Sequence, residues 1–140
     1  MPAALLYTMH DPKYNYLYET DPEPYMNNRR MFCPRGKMLG GSSSHNGMVH
    51  VRGNAMDFEN WAQKDLKSWN YNNVLPYFKK SESISGLDSK YRSDNGPLKL
   101  SRSSEGNVLS KVYLEAAEQA GYEINNDMNG YKQEGFGLMD

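Results

Sequence analysis

The chain has little that would tie it together covalently or draw it to a charged partner. Its 140 residues include one cysteine, Cys33, so an internal disulfide is excluded and the thiol reads as a buried, inert group. There is no charge excess: 16 basic residues face 17 acidic ones, for a net charge of −1. That balance excludes a basic field for nucleic acid and an acidic interaction tail. No apolar run approaches the ~20 residues that span a bilayer. The first residues, Met1 to Tyr14, carry a short apolar patch with no basic region before it and an early Asp11, which argues against a secretory leader. No Asn-x-Ser/Thr sequon and no internal repeat occur, and none of this assigns a compartment. Apolar residues are also scarce, at 38% against the usual ~45–50%. The 11 tyrosines supply much of the area that can be buried, and each buried hydroxyl needs a partner. The implied core is thin, as expected of a chain that packs against something else.

What is present is unevenly distributed. Residues 1–35 hold Pro2, Pro12, Pro22, Pro24 and Pro34, which disfavours regular helix. Extended chain with aromatic anchors Tyr14, Tyr16, Tyr18 and Tyr25 is expected there, with a short strand over the alternating 14, 16 and 18. Residues 57–66 read as a helix capped by Asp57, with Phe58, Trp61 and Ala62 on one face. Residues 71–80 predict a second helix, in which Pro76 belongs in the first turn or else kinks it. The aromatic set Phe58, Trp61, Trp69, Tyr71, Tyr77 and Phe78 reads as core. Residues 81–96 read as a polar loop and 97–101 as an edge strand begun by Pro97. The clearest helix is 108–120, with Asn107 at its cap, Gly121 after its end, and an apolar stripe of Leu109, Val112, Tyr113, Ala116 and Ala120. NNDMNGYKQEGFG, residues 125–137, reads as loop.

The segment Gly36 to Asn54, GKMLGGSSSHNGMVHVRGN, raises a different question. Gly40 and Gly41 carry no Cβ, so a ligand or another backbone can approach closely. Ser42, Ser43 and Ser44 are candidate caps for a helix beginning near Asn46. The free N–H groups and positive dipole end of such a helix suit a phosphate or pyrophosphate. An anion site over residues 40–47 and a tight turn packed under a helix both satisfy this composition. Lys37 and Arg35 flank the loop, either balancing pyrophosphate charge or simply solvated. Arg52 and Asp57 read as a local pair of little energy. GGSSS lacks the Gly-Lys-Ser/Thr of a P-loop and follows no clear buried strand, which weighs against a free-standing nucleotide-phosphate loop.

The run PRGKMLGGSSSHNGMVHVRGNAMDFENWA resembles the first signature of the glucose–methanol–choline (GMC) oxidoreductases. LPYFKKSE (75–82), GPLKLS (96–101) and NNDMNGYKQEGFG (125–137) resemble later stretches of that family, in family order. The resemblance implies an α+β piece of an α/β FAD-binding fold. It implies that residues 1–80 form part of the FAD-binding domain, with a flavin-contacting loop at 36–53, and that residues 81–140 begin the substrate domain with linking loops. The cofactor implied is FAD, lined by Gly41, Ser42, Asn46, Gly47, Met48 and Val49, with backbone amides and the Asn46 side chain on pyrophosphate or flavin. The reaction implied is oxidation of a CH–OH group of a small alcohol, with hydride passing to flavin and then to oxygen or a quinone-like acceptor. The resemblance leans toward the glucose- and choline-dehydrogenase branch.

Two positions depart from the family pattern. His45 stands where an aliphatic is usual, and Ser43-Ser44-His45-Asn46 is similar to the stretch in choline oxidase, a family member whose histidine is bonded to the 8α-methyl of FAD. The resemblance leaves open a covalent flavin link at His45 or a packed neutral imidazole. His50 stands where an aromatic is usual and reads as its packed substitute. No metal site is expected, because His45 and His50 diverge at their spacing and no Cys or carboxylate pattern joins them.

Two parts of such an enzyme have no counterpart here. No G-x-G-x-x-G occurs, so the dinucleotide-binding βαβ start is expected ahead of residue 1. The family's catalytic histidine is expected beyond residue 140. The expectation is an incomplete piece of a longer flavoenzyme, with no catalytic residue in this chain. The alternative is a truncated, non-catalytic protein that keeps the ancestry without flavin binding. The isolated 140 residues, purified and given FAD, are expected to turn over no alcohol; any sustained oxidation of an alcohol by that preparation would refute this.

Overall fold

The computed structural model describes residues 4–103 and 106–140, in two compact units, Met1–Met48 and Val49–Asp140.

The first unit is held by backbone pairing and polar side chains. A single helical turn, α1 (Leu5–Thr8), is followed by β1 (Tyr18–Glu19) and β2 (Phe32–Cys33), paired antiparallel with Tyr18 opposite Cys33 and Glu19 opposite Phe32. The strand expected over 14–18 therefore begins only at Tyr18. Asn15 explains why: its side chain donates to the Met9 carbonyl (2.6 Å) and accepts from the backbone N–H groups of Leu17 (3.0 Å) and Arg35 (2.9 Å). One buried amide thus gathers three segments in place of a ladder. The described buried residues of this unit are both polar, Asn15 and His45. The expected anchors Tyr16, Tyr18 and Tyr25 are instead exposed, Tyr16 stacking on Tyr18 at 5.3 Å. Cys33 is half-buried.

In the second unit, α2 spans Ala55–Gln63 and α3 spans Tyr71–Ser81. The cap of α2 is Asn54, whose side chain accepts from the Met56 N–H, and not Asp57, which lies in the first turn. Asn70 caps α3 in the same way, through Asn73. Pro76 lies past the first turn, where it offers no N–H to the carbonyl four residues back. Between the helices the expected aromatic set gathers, but only Phe58 of it is buried; Tyr71 and Phe78 are half-buried and Trp61 and Trp69 are exposed. Phe58 meets Trp61 and Phe78 edge-to-face at 5.5 and 5.6 Å, and Trp61 meets Trp69 at 5.8 Å. Tyr77 points away and is exposed.

After α3 the chain forms β3 (Glu82–Ser83), paired in parallel with β4 (Leu98–Lys99). The polar loop expected over 81–96 holds two of the three largest fully buried side chains described, the third being Asn15. Glu82 is 0% exposed and Arg92 1%. Arg92 Nε donates to Glu82 Oε1 (2.9 Å) and its Nη2 to Asp140 Oδ2 (2.8 Å), and Nη1 pairs with Asp127. Arg52 Nη2 lies 2.8 Å from the same Glu82 oxygen and Arg52 Nη1 donates to the Tyr91 carbonyl (2.7 Å). The expected Arg52–Asp57 pair is therefore replaced by a buried one. Gly96 packs against this strand so tightly that a Cβ would sit 2.2 Å from the Glu82 carbonyl oxygen.

The last helix, α4 (Val108–Gln119), is capped by Asn107, and Gly121 follows its end at φ +84°. Its buried residue is Ala117, while Leu109, Val112 and Tyr113 of the expected core stripe are exposed. The helix formed as the pattern required, but its apolar stripe is not covered within the described residues.

The ionic core makes the second unit acid-sensitive. Burial pushes the Glu82 and Asp140 carboxyls up, but the Arg92 hydrogen bond and the neighbouring guanidinium charges together outweigh it. Both carboxyls lie below their ordinary values of 4.5 and 3.8. A carboxyl depressed on folding contributes stability that is complete above its unfolded value and lost as pH falls through its folded one. Tryptophan fluorescence is expected to report loss of structure on acidification below about pH 4.5. Glu82→Gln should lower stability at neutral pH and flatten that acid dependence.

Candidate functional site

The glycine- and serine-rich loop is built from its own backbone first. Gly36 and Gly41 touch: a Cβ on Gly36 would lie 2.3 Å from the Gly41 carbonyl oxygen. The Ser42 hydroxyl accepts from the Gly36 N–H at 3.1 Å, closing the loop at its neck. Gly40 takes φ +86° and a Cβ there would meet Ser44 Oγ at 2.4 Å, so its missing side chain is also used internally. At Gly41 and Gly47 a Cβ would meet nothing within 4 Å, although Gly41 takes φ +57°, itself a reason for glycine. These two present open backbone.

The helix expected to begin near Asn46 does not form. Residues Gly41–Ser44 make one 3₁₀ turn, residues 45–54 are irregular, and the next helix starts at Ala55. Asn46 stops it by using its side chain on the loop: Nδ2 donates to the Ser43 carbonyl (2.7 Å) and Oδ1 accepts from the Met48 N–H (2.6 Å). This closed amide turn holds Met48 at φ +52°, a conformation a non-glycine side chain rarely adopts. The dipole-based argument for an anion site therefore loses its helix.

Among the expected cofactor-lining positions, Ser42, Asn46, Gly47 and Met48 are exposed on this loop and Gly41 is half-buried. Ser43, Ser44, Asn46 and Met48 line a concavity of about 240 Å³ with Ala4, Leu5 and Thr8. His45 alone turns inward, at 8% exposure, and its Nε2 has no hydrogen-bond partner among the described residues. A buried imidazole nitrogen without a partner is costly in a polar loop. Val49 opens the second unit and is exposed. Arg35 donates to the neighbouring Pro34 carbonyl, and Lys37 lies over the Tyr16 ring at 5.8 Å.

His50 is more than a packed substitute for an aromatic, because its Nε2 lies 3.3 Å from Glu82 Oε2. The residues that composition and spacing alone missed are those around it: Glu82, Arg92, Asn129 and Asp140. Asn129 accepts from the Arg52 N–H (2.8 Å) and donates to the His50 carbonyl (2.9 Å), both at great sequence separation. A signal for them existed: Glu82 ends one of the stretches noted for resemblance and Asn129 lies in another. Among the described residues no group of three or more His, Cys, Asp or Glu could hold a metal ion. No described helix is long and apolar enough to cross a membrane.

Comparison with known proteins places this geometry in context. Residues 6–140 match the model of a family described as GMC oxidoreductase. The whole chain is 54% identical to the oxygen-dependent choline dehydrogenase of Proteus mirabilis, of which it covers 26%. It is 51% identical to that of Sinorhizobium fredii, again covering 26%. The chain thus spans about a quarter of the length of the curated relatives it matches. Among solved structures, pyridoxine 4-oxidase from Mesorbium loti superposes with a TM-score of 0.81 at 25% identity, over 96% of this chain and 26% of that one. An FAD-dependent oxidoreductase from Chaetomium thermophilum does so at 0.70 and 26% identity, over 86% and 23%.

Two kinds of glycine in the loop predict opposite outcomes. Gly36→Ala must displace the Gly41 backbone and is expected to destabilise the loop by about 1–3 kcal/mol, as overpacking does. Gly47→Ala enters open space and should leave stability within about 0.5 kcal/mol. Thermal melts with limited proteolysis at the loop compare the two; a larger effect at Gly47 would show that the loop closes differently.

Proposed function

Because the chain belongs to the GMC oxidoreductase family, we propose that it supplies the flavin-facing part of a longer FAD-dependent enzyme that oxidises the CH–OH group of a small alcohol. Choline is the alcohol and oxygen the acceptor in this reading, supported by the names of relatives 51–54% identical along the whole chain. The observation that carries it is the loop 36–48, whose backbone is open at Gly41 and Gly47 and whose buried His45 has an unpartnered Nε2.

These residues fit an FAD. Gly41 and Gly47 admit a flat ring system or a phosphate to backbone contact, which any side chain would block. The Ser42 hydroxyl accepts from the Gly36 N–H and keeps its own proton to donate, whereas Ser43 and Ser44 spend theirs on the Gly40 and Leu39 carbonyls. The Asn46 amide is committed to the Ser43 carbonyl and the Met48 N–H, so its part is to shape the loop. Val49 adds an apolar surface. His45 gives a buried nucleophilic nitrogen suited to covalent attachment of the flavin. Bound FAD supplies the two-electron acceptor for a hydride leaving the carbinol carbon. This chain's residues bind and orient, and the proton acceptor is placed outside them. His45 is buried in the loop, His50 faces Glu82, and His10 stacks on Phe32 at 5.4 Å.

The test uses the full-length product of the gene carrying this segment. Its purification with FAD, and peroxide production from choline, are expected. Gly47→Val should weaken FAD binding about tenfold, roughly 1.4 kcal/mol, without lowering the melting temperature of the apoprotein. Unchanged affinity would remove the loop from the flavin site. Intact mass after acid denaturation settles His45: retained FAD that disappears in His45→Ala shows the covalent link, and freely released FAD refutes it.

A further inference from the structure

The chain just after the candidate loop belongs to no helix or strand, yet it is gripped as firmly as one. The His50 N–H donates to the Asp140 carbonyl at 2.9 Å. The His50 carbonyl accepts from Asn129 Nδ2 at 2.9 Å, and the Arg52 N–H donates to Asn129 Oδ1 at 2.8 Å. The Arg52 carbonyl accepts from Gln133 Nε2 at 3.1 Å. The Asn129 side chain therefore exchanges a donor and an acceptor with residues 50 and 52, as a neighbouring β-strand would. It leaves Val51 between them exposed.

Asn129 is itself fixed. It is 3% exposed, its N–H donates to Asp127 Oδ1 (3.1 Å), and its Nδ2 also reaches Asp140 Oδ2 (3.3 Å). Asp127 and Asp140 are tied in turn to Arg92, and Arg92 to Glu82, which Arg52 also meets. No other uncharged side chain of this size fills the role. A carboxylate would lose the donor to His50 and face Asp140, and an alkyl group would leave two buried backbone groups without partners.

We infer that Asn129 is a positioning residue for the flavin site, setting the path of the chain through Val49, which precedes His50 directly. This rests on the reading that Val49 faces the flavin. Asn129 itself touches no flavin; it acts through the backbone of residues 50–52.

The test is made on the full-length holoenzyme with Asn129→Asp and Asn129→Ala, with Gln133→Ala as a milder lesion at the Arg52 carbonyl and Lys132→Ala as a control outside the grip. Hydrogen exchange over residues 49–53 reads the grip without reference to flavin. Visible circular dichroism of the bound flavin and the FAD dissociation constant read its consequence. The expected result is exchange about tenfold faster, an altered flavin spectrum and about tenfold weaker FAD binding in both Asn129 variants. Gln133→Ala should move the same way by less, and Lys132→Ala should not move. Should Asn129→Ala fail to fold, the isosteric Asn129→Asp and the milder Gln133→Ala decide alone. Unchanged exchange overturns the inference, and so does faster exchange with an unaltered flavin spectrum. A wild-type protein that binds no FAD overturns the flavin reading instead, while exchange still reports whether Asn129 holds residues 50–52.

Discussion

The Glu82 carboxylate, fully buried between Arg52 and Arg92, is what the second unit is organised around. Arg92 makes the directed hydrogen bond to Oε1, while Arg52 approaches the same oxygen in poor alignment, as an ion pair only. Asp127 and Asp140 balance the second side of Arg92, and Arg102 the far side of Asp140. Three guanidiniums thus meet three carboxylates drawn from five separate stretches of chain. Such a cluster is a weak source of net stability, because desolvating each ion cancels much of the attraction. Its value lies in specificity. An apolar core of this size tolerates many repackings, whereas removing any one charge strands its partners in a medium that penalises them. With Phe58, Ile84, Tyr91 and Ala117 as the buried apolar residues described, little else specifies how these stretches meet.

The first unit follows the same logic with neutral groups. Asn15 satisfies backbone groups at residues 9, 17 and 35 that no ladder reaches. Asn46 does so for Ser43 and Met48, and in the second unit Asn129 does so for His50 and Arg52. A primary amide suits this task because it offers donor and acceptor at once, in the geometry of a peptide group. The chain therefore replaces extended sheet with single asparagines, and that keeps its strands to two residues each. The tyrosines that composition suggested as core remain largely at the surface, as does the apolar stripe of α4. A thin core was legible in the 38% apolar content; which faces would stay uncovered was not.

Local rules read α4 well, because its cap, its period and its terminal glycine agree. They read α2 and α3 nearly as well, missing the cap of α2 by choosing Asp57 over Asn54, two oxygen-bearing residues three positions apart. They failed over 81–96, where Ser, Gly and Asp suggested a solvated loop. The polarity there marks a buried ionic core, and no local signal separates the two because the partners lie up to 48 residues away. The pairing of Arg52 with Asp57 failed for the same reason: sequence proximity offers an exposed pair of little worth, and the fold offers a buried carboxylate. Family resemblance caught what periodicity did not, since the stretches it singled out contain Glu82, Gly96, Asp127 and Asn129.

The loop GKMLGGSSSHNG shows why composition alone could not separate a ligand site from a tight turn. Gly36 and Gly40 lack side chains because the loop's own atoms occupy that space, at Gly41 and at Ser44. Gly41 and Gly47 have open space beside them, but Gly41 takes φ +57° and so has a backbone reason to be glycine, while Gly47 has neither. The turn's own geometry accounts for Gly36, Gly40 and Gly41, and Gly47 alone has no such use within it. With a 3₁₀ turn at Gly41–Ser44 in place of a helix near Asn46, no helix dipole is available there. His45 stands between Gly41 and Gly47 in sequence but turns inward, buried and with an Nε2 that has no partner among the described residues.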